Sequence, residues 1–337
     1  MRVLVGMSGG VDSSVSALLL KQQGHDVLGA TMKLLDDDKT NKMLIDAKRV
    51  CEEIGIPHVV FDLTKEFREK VIDNFVSEYQ NGKTPNPCVR CNKYLKFGLL
   101  YKKGLELGYD YIATGHYVDI NDNTLCACNN DKDQSYFLYA INKDVIPKII
   151  FPLKNFKNKE EIREIARLNN LSVFNKKDSQ EICFIENDDY ISYLKDKIKA
   201  TNGNIVLKDG QIIGKHHGLY KYTIGQRKGL GIAYNKPLYV VDIDILNNQL
   251  VVGSNDDLFS TKLIANNLNI LVDKLPKECL AKVRSRGDKV PCYIQKTNDK
   301  LEVTFKKKVR AITKGQSVVL YKDNVCLGGG IIEETFR

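Results

Sequence analysis

The segment that decides the fold spans residues 3–14 and has the sequence VLVGMSGGVDSS. An apolar run typical of a β-strand leads into a glycine-rich turn, and a helical pattern follows over residues 15–23. Because glycine has no Cβ, backbone N–H groups in the turn can approach an anion, and the helix N-terminus adds partial positive charge. A Walker A loop would need a lysine, which this turn lacks. The segment therefore predicts a different phosphate site, in which Ser8, Ser13 and Ser14 are hydroxyl donors.

Length and composition limit the class of protein. A chain of 337 residues exceeds what one hydrophobic core usually serves, so we expect two or three domains. The formal net charge of +9 favours a polyanionic partner but suits any basic protein equally well. No apolar run reaches the ~18 residues of a membrane span, so no membrane partner is expected, and a strand at the N-terminus leaves no room for a signal peptide. We interpret the nine cysteines as thiols of a cytoplasmic protein.

Strand and helix patterns alternate through the first half of the chain. Strands are predicted over 2–6, 27–33, 58–61 and 109–114, and helices over 12–23, 41–54, 65–80, 93–107, 159–170 and 188–198. This alternation predicts an α/β class fold with a doubly wound, mostly parallel sheet. Ligands of such sheets bind beyond the carboxyl ends of the strands, where the glycine-rich turn and Gly115-His116 both fall.

The sequence changes character near residues 201–204. Short strand candidates separated by Gly, Asp and Asn follow at 205–207, 238–242, 249–252, 281–284, 291–295, 301–305, 317–320 and 325–331. Such spacing predicts a small β-rich domain and then a C-terminal β-barrel. We therefore divide the chain into domains at 1–200, 201–258 and 259–337.

A second unusual segment is PNPCVRCN at residues 85–92. Its C-x-x-C is predicted to lie just before the helix at 93–107, where the helix dipole, Arg90 and Lys93 would stabilise a thiolate. Three interpretations stay open: a reactive thiol pair, half of a metal site, or small buried residues. A structural zinc site usually needs a second pair at similar spacing, and none exists. Packing is the expected role of the cysteines in helical or strand contexts elsewhere, Cys51, Cys126, Cys128, Cys279, Cys292 and Cys326.

Blocks spread over nearly the whole chain resemble the tRNA-specific 2-thiouridylases (MnmA/TrmU type), members of the ATP pyrophosphatase superfamily with a PP-loop. The blocks are GMSGGVDSS (6–14), TPNP (84–87), CNK (91–93), ATGHY (113–117), KDQSYFL (132–138), KKDS (176–179), ICFI (182–185), TIGQRKGLG (223–231), GQ (315–316) and CLGGG (326–330). Many ATP pyrophosphatases share the loop alone, whereas the joint set is far more specific.

The resemblance implies thiolation of the anticodon wobble uridine of tRNA at C2. ATP would adenylate the C2 oxygen, a poor leaving group, so that AMP departs when sulfur attacks. ATP and Mg²⁺ are thus the implied cofactors, with Asp12 meeting Mg²⁺ or pyrophosphate oxygens. The implied ATP-binding residues are Gly6, Met7, Ser8, Gly9, Gly10, Val11, Asp12, Ser13, Met32 and Gly115.

Two sulfur-delivery schemes follow from the resemblance. In one, Cys183 carries a persulfide from a sulfur-relay donor protein, and Cys91 releases the sulfur by forming a disulfide with Cys183. This chain departs from the usual family pattern, because Cys88 stands where an aspartate is common. Related thiolases with three such cysteines hold a [4Fe–4S] cluster with one open iron. The alternative is therefore an iron–sulfur cluster held by Cys88, Cys91 and Cys183, with free sulfide as a sulfur source.

The resemblance also implies where tRNA would lie. Asn86, Pro87 and Cys88 would face the flipped base, and further contacts would come from His116, Lys132, Asp133, Gln134, Arg284, Ser285 and Gln316. Ser285 replaces a common aromatic residue. A basic strand region suited to phosphates comprises Lys282, Arg284, Arg286, Lys289, Lys306, Lys307, Lys308 and Arg310. We expect a monomer, with a dimer on tRNA as the alternative.

Two other classes stay open at this point. Another ATP pyrophosphatase, such as an amide-forming synthetase or a sulfurylase, would need neither the Cys91/Cys183 pair nor a basic β-barrel. A non-catalytic RNA-binding redox protein would have no use for the intact loop. Release of pyrophosphate from ATP that depends on tRNA separates all three.

Overall fold

The computed structural model describes residues 1–130, 132–176 and 182–336. Its first sheet has five parallel strands in the order β3-β2-β1-β4-β7, with strands numbered along the chain. Their bounds are β1 Arg2–Gly6, β2 Asp26–Lys33, β3 His58–Asp62, β4 Tyr111–Ala113 and β7 Ile149–Ile150. The predicted doubly wound parallel sheet is confirmed.

Helices cover both faces of this sheet. They are α1 Val11–Gln22, α2 Asp38–Ile54, α3 Thr64–Phe67, α4 Asp73–Gln80, α5 Pro87–Arg90, α6 Tyr101–Glu106, α7 Lys159–Leu168 and α8 Tyr190–Lys195. π-Helical segments, Arg68–Ile72 and Cys91–Leu100, join α3 to α4 and α5 to α6 into two long continuous helices. Short 3₁₀ turns occur at Ser135–Phe137, Lys143–Lys148, Glu186–Asp188, Leu219–Lys221 and Asp256–Leu258.

Strand β1 has both faces buried, which explains its unbroken apolar sequence. Val3 and Val5 point to one side and pack in a cluster with residues of α1, α2 and α7. Leu4 points to the other side and packs with Phe97 and Leu100 of the π-helical segment. The strand period of two thus builds one apolar layer on each face.

The start of the cysteine-bearing helix differs from the prediction. We expected the helix to begin at residue 93, but it begins at Pro87, so both Cys88 and Cys91 lie inside it. Two local features explain the earlier start: the Asn86 side chain accepts a hydrogen bond from Val89 N (3.4 Å), and proline suits the first helical position. The cysteines are therefore fixed by helical backbone and not by a loop.

The second half of the chain is built from β-structure. A four-stranded sheet in the order β10-β11-β8-β9 is followed by a closed barrel, because β12 pairs with both β15 and β17. Their bounds are β8 Asn202–Leu207, β9 Ile212–His217, β10 Tyr239–Asp244, β11 Gln249–Gly253, β12 Phe259–Ile270, β13 Glu278–Lys282, β14 Val290–Thr297, β15 Lys300–Arg310, β16 Ser317–Lys322 and β17 Val325–Phe336. The predicted barrel is confirmed, and closure leaves it without free edges.

Two strands of the second half of the chain were missing from the sequence prediction. Strand β9 did not stand out, and the twelve-residue β12 was hidden because Asn266, Asn267 and Asn269 interrupt its apolar alternation. The pairing of β12 with β17 shifts register between Asn266 and Asn269. The asparagines therefore mark an irregularity in the strand. The alternation of apolar and polar residues alone cannot distinguish such an irregular strand from a loop.

The barrel and the parallel-sheet domain share one hydrophobic core. The hairpin of β5 Asp119–Asn121 and β6 Thr124–Cys126 leaves the first domain and pairs with β17. Barrel residues Leu271, Val319 and Tyr321 belong to the same buried cluster as Leu4. Among the described residues, no helix is long and apolar enough to cross a membrane.

Asn269 links the two domains, and its removal should destabilise their junction. Its Nδ2 donates to the backbone oxygens of Tyr139 (2.7 Å) and Ile141 (2.9 Å). Asn269→Ala would leave both acceptors unpaired, so we expect the free energy of unfolding to fall by about 1–3 kcal/mol in urea denaturation. The control Asn41→Ala, on the exposed face of α2, should change it by less than about 0.5 kcal/mol. Equal stability of the two variants would contradict this role.

Candidate active site

The glycine-rich turn lies where the strand order of the parallel sheet reverses. From β1 the chain builds β2 and β3 on one side, whereas β4 pairs with the opposite side of β1. The segments that follow β1 and β4 therefore diverge and leave a crevice between them. The turn after Gly6 and the segment Thr114–Tyr117 after β4 border this crevice, as the sequence predicted.

The turn is anchored by apolar side chains and internal hydrogen bonds. Met7 and Val11 are buried with Val5 beneath it. The Ser13 hydroxyl accepts from Ser8 N (3.2 Å) and donates to Gly10 O (3.0 Å). These contacts fix the shape of the loop before any ligand binds.

Gly9 holds the most restricted position of the turn. Its φ is +62°, and a Cβ there would lie 2.9 Å from Met43 O. Lys176 also holds Gly9 in place, because its Nζ donates to Gly9 O (2.8 Å) and to Asp46 Oδ2 (2.6 Å). The carbonyl of Gly9 is thus held by a cation, and helix α2 approaches too closely for any side chain at position 9.

Asp12 is held by two partners that come from different elements. Tyr117 Oη donates to its Oδ1 (2.8 Å), and Lys159 Nζ donates to its Oδ2 (2.5 Å). The side chain of Lys159 is only 8% exposed, whereas that of Asp12 is 30% exposed. The carboxylate therefore faces the crevice with its charge balanced from behind by a buried ammonium group.

Gly115 brings the segment after β4 against the start of α1. A Cβ on Gly115 would lie 2.8 Å from the carbonyl carbon of Asp12 and 2.9 Å from Ser13 N. Met32, at the carboxyl end of β2, is half-buried. It packs against two apolar clusters, one containing Leu4 and the other containing Cys91 and Phe184. The predicted nucleotide residues thus meet at one edge of the sheet.

The three predicted sulfur-site cysteines interact with one another. Cys91 is buried, and Cys88 and Cys183 are open to solvent on one side. Desolvation by the surrounding side chains and, to a smaller extent, the neighbouring Cys91 and Cys88 thiols raise the pKa of Cys183 to about 12. Burial also raises the pKa of Cys91 to about 11 and that of Cys88, against the opposing charge of Lys96. The structure therefore brings together thiols that are 92 residues apart in sequence and keeps them protonated near neutral pH.

His116 is a half-buried neutral imidazole beside Lys96, the cation that also acts on the three thiols. Burial holds its pKa well below the usual range, and the charge of Lys96 lowers it further. Lys96 Nζ donates to Nε2 (3.5 Å), which assigns the ring hydrogen to Nδ1, where it is donated to Thr114 Oγ1 (2.7 Å). Lys96 and Lys159 have no motif of their own in the sequence and were not predicted as site residues. Lys96 follows Cys91 by five residues, a spacing that brings two side chains to one face in the π-helical segment but not in a regular α-helix, so no signal in the sequence was available for it.

The predicted RNA-contact residues Lys132, Asp133 and Gln134 differ in their exposure. Lys132 is exposed, with its ammonium 6.0 Å from the Tyr117 ring centroid. The Asp133 carboxylate accepts from Cys128 N and Ser135 N, and Gln134 Oε1 accepts from Tyr117 N (3.0 Å). Asp133 and Gln134 therefore shape their own loop, and Lys132 is the member of the three that reaches outward.

Two of the predicted RNA-contact residues on the barrel, Arg284 and Gln316, form hydrogen bonds within the protein. Arg284 donates to Ala311 O (2.5 Å) and to Thr313 Oγ1 (3.0 Å), and burial lowers its pKa. Gln316 donates to the backbone of Thr84, and Ser285 is half-buried.

The basic strand region presents several exposed cations. Exposed members are Arg286, Lys306, Lys307, Lys308 and Arg310, whereas Lys282, Arg284 and Lys289 are half-buried. Lys306 forms an ion pair with Glu278 (2.5 Å), and Lys289 Nζ lies 4.1 Å from the Tyr321 ring centroid.

Residues 177–179 of the KKDS block lie outside the described residues.

Gly115→Ala should weaken nucleotide binding by at least about tenfold, because the new methyl group must displace Asp12 and Ser13. The measurement is calorimetric titration with ATP and Mg²⁺. Gly104→Ala in α6 is the control, since its Cβ would meet ordinary contacts of 3.4 Å or more with Leu4. If the two variants bound ATP equally well, the close approach at Gly115 would have no role in the nucleotide site.

Three family models match the chain in succession. They are described as the tRNA methyl transferase HUP domain (residues 1–187), the tRNA methyl transferase PRC-barrel domain (191–254) and the aminomethyltransferase β-barrel domain (260–332).

Two solved structures are similar over little more than half of the chain. The U34-tRNA thiolase NcsA from Methanococcus maripaludis with its [4Fe–4S] cluster is 22% identical, with a TM-score of 0.37, covering 58% of this chain and 65% of that chain. NMN synthetase from Francisella tularensis is 15% identical, with a TM-score of 0.33, covering 53% and 66%.

Full-length relatives are more specific than these domain descriptions. A tRNA-specific 2-thiouridylase MnmA of Clostridioides difficile (strain 630) is 45% identical over 99% of this chain and 98% of the relative. The tRNA-specific 2-thiouridylase MnmA 2 of Clostridium tetani (strain Massachusetts / E88) is 47% identical over 98% of each chain. Both alignments span all three domains, including the phosphate loop and the cysteine segment. The chain therefore belongs to the tRNA-specific 2-thiouridylase family.

Proposed function

We propose that this protein replaces the C2 oxygen of the tRNA wobble uridine with sulfur, using ATP to adenylate that oxygen first. The observation that carries this proposal is the arrangement of one edge of the sheet. The phosphate loop follows β1 at this edge. Met32, at the end of β2, packs against the cluster that contains Cys91 and Phe184, and Phe184 is the neighbour of Cys183 in sequence. Nucleotide and sulfur chemistry can therefore act on one substrate group.

In the first step, the uridine oxygen attacks the α-phosphorus of ATP and pyrophosphate leaves. The backbone N–H groups of residues 6–13 and the start of α1 would bind the phosphates. Mg²⁺ usually uses one or two protein carboxylates, with phosphate and water oxygens completing its shell. Asp12 fits this requirement, because its carboxylate is partly exposed in the crevice and lies beside the loop. Lys159 and Tyr117 would hold that carboxylate in position.

In the second step, sulfur attacks C2, the C2–O bond breaks and AMP leaves. In the persulfide scheme the terminal sulfur on Cys183 attacks. The Cys91 thiolate then attacks Cys183 Sγ, leaving sulfur on C2 and a Cys91–Cys183 disulfide, which a thiol reductant must reopen with two electrons. The raised pKa of Cys183 makes its free thiol a weak nucleophile, which favours sulfur supplied in an activated form, and Cys91 must lose its proton before it attacks Cys183 Sγ.

The cluster scheme uses the same three cysteines. Thiolates are the ligands that iron–sulfur clusters require, and Cys88 and Cys91 lie near enough to Cys183 to raise its pKa, so the three residues fit a cluster in their chemistry. Within the described ranges, no group of three metal-binding side chains forms a site for a single metal ion. A bound cluster would supply an iron that carries sulfur, and metal coordination would deprotonate the thiols despite their raised pKa values.

The uridine must leave the anticodon stack to reach these groups, at a cost of a few kcal/mol. We propose that Asn86, Pro87 and Cys88 face the flipped base and that Lys132 and the exposed cations of the barrel bind RNA phosphates. The division at 1–200, 201–258 and 259–337 would then separate catalysis from RNA binding. The cytoplasmic location, the sulfur donor and the monomeric state stay predictions.

Asp12→Ala should lower tRNA-dependent AMP formation by about 100-fold or more, because the phosphates lose their metal contact. The assay is release of AMP from radiolabelled ATP in the presence and absence of tRNA. The single change removes one partner of the buried ammonium group of Lys159, so Asp12→Ala/Lys159→Met is tested in parallel to preserve the fold. Asp26→Ala, which removes an exposed partner of Arg2, is the control. Normal turnover in the folded double variant would contradict the role of Asp12.

Cys88→Asp separates the two sulfur schemes. In the persulfide scheme this change restores the usual family residue, so activity in air with a persulfide donor should be retained. In the cluster scheme it removes one of three iron ligands, so iron content and activity should both fall. Iron and acid-labile sulfide are measured on anaerobically purified protein, with Cys51→Ala as the control because Cys51 is buried in α2. Iron-free, fully active Cys88→Asp protein would exclude the cluster.

A further inference from the structure

A loop of the barrel holds the segment that leads into the cysteine-bearing helix. The loop comprises residues 311–316, between β15 and β16. Thr84 N donates to Lys314 O (2.9 Å), and Gln316 Nε2 donates to Thr84 O (2.9 Å) and to Pro85 O (3.4 Å). The barrel therefore forms hydrogen bonds with both the backbone N–H and the backbone carbonyl of Thr84, which lies 232 residues before Gln316 in sequence.

This contact is too close for a side chain at position 315. A Cβ on Gly315 would lie 2.9 Å from both Lys83 Cβ and Thr84 N, and 3.0 Å from Thr84 O. The φ of Gly315 is +88°, which an L-residue rarely adopts. An ion pair between Lys83 and Glu333 (2.8 Å) adds a second link beside it. The two backbones are thus joined over residues 83–85.

The loop is itself held rigidly within the barrel. Arg284 donates to Ala311 O and Thr313 Oγ1, and it stabilises Ala311 at a φ of +51°. Gly315 N donates to Ile332 O (2.9 Å), and Ile332 N donates to Gln316 O (2.8 Å). Gln316 therefore projects from a fixed backbone, so its amide can define the position of what it binds.

Only one residue separates this contact from the first residue of α5. Pro85 is buried, and Asn86 caps the helix in which Pro87 is the first residue and Cys88 the second. A shift of the Thr84–Pro85 backbone would therefore move the start of α5 and the thiol of Cys88. Cys91 follows one turn later in the same continuous helix.

We propose that Gln316 is a positioning residue of the sulfur site, acting through the backbone of Thr84 and Pro85 to fix where the cysteine-bearing helix begins. The C-terminal barrel is then part of the catalytic framework in addition to any role in binding RNA. This inference rests on the proposed function for its consequence in catalysis, whereas its structural content is independent of the reaction. It assigns the Gln316 amide to the protein interior and not to a direct RNA contact.

The test compares Gln316→Ala and Gln316→Glu with the control Gln295→Ala, which changes an exposed glutamine of β14. The Glu variant keeps the shape but has no N–H to donate to the two carbonyl oxygens. Hydrogen–deuterium exchange of the free protein should become about fivefold faster for amides of residues 84–91 in both Gln316 variants and stay unchanged in the control. With saturating tRNA, kcat for thiolation should fall by about fivefold or more, while the tRNA KM and Kd stay within about twofold.

Two results would overturn the inference. Unchanged exchange at residues 84–91 would show that the Gln316 amide does not hold this segment. Faster exchange with unchanged kcat would show that the contact has no role in positioning the sulfur site. A raised tRNA Kd with unchanged exchange would instead identify Gln316 as an RNA contact. If wild-type protein showed no thiolation at all, the proposed function would fail, but the exchange data would still decide whether the barrel holds the segment.

Discussion

The ion pair of Asp12 and Lys159 is the contact on which the nucleotide site depends. It joins the first turn of α1 to the first residue of α7. Tyr117, in the segment after β4, donates a hydrogen bond to the same carboxylate. Removing one partner of a fully buried ion pair typically costs about 3–5 kcal/mol, and the 30% exposure of the Asp12 side chain places this pair at or below the lower end of that range. The pair therefore fixes three elements around the crevice before substrate arrives. The same carboxylate lies where a metal-bound triphosphate would need a counter-charge.

The sulfur site is built in a different way, from thiols and an imidazole that are uncharged at neutral pH. Burial raises the pKa values of the three thiols and lowers that of His116, so at neutral pH these groups carry little charge. Lys96 is a cation that acts on all four. Such surroundings leave activation to the incoming sulfur source. The phosphate half of the site therefore contains an ion pair, whereas the sulfur half consists of largely uncharged groups beside Lys96.

Motif residues that act through their own backbone could be predicted from the sequence. The glycine-rich turn, the approach at Gly115 and the order of parallel strands follow from local chemistry and pattern. Lys159 and Lys176 could not be predicted, because their partners in the loop lie 147 and 167 residues away and no local pattern links them. The helix that carries the cysteines begins at Pro87 and not at residue 93, because Asn86 caps it and proline suits its first position, and neither feature belongs to the apolar pattern that predicts helices. Arg284 and Gln316 illustrate a further limit: sequence can identify a polar residue of interest but cannot show whether it faces a ligand or its own backbone.

The most direct measurement is nucleoside analysis by mass spectrometry of unmodified tRNA incubated with the protein, Mg²⁺, ATP and a sulfur source, alongside quantification of AMP. The account predicts 2-thiouridine at the wobble position, absent without ATP, with about one AMP formed for each thiouridine. Formation of AMP without thiouridine, or thiolation at another position of the tRNA, would contradict it.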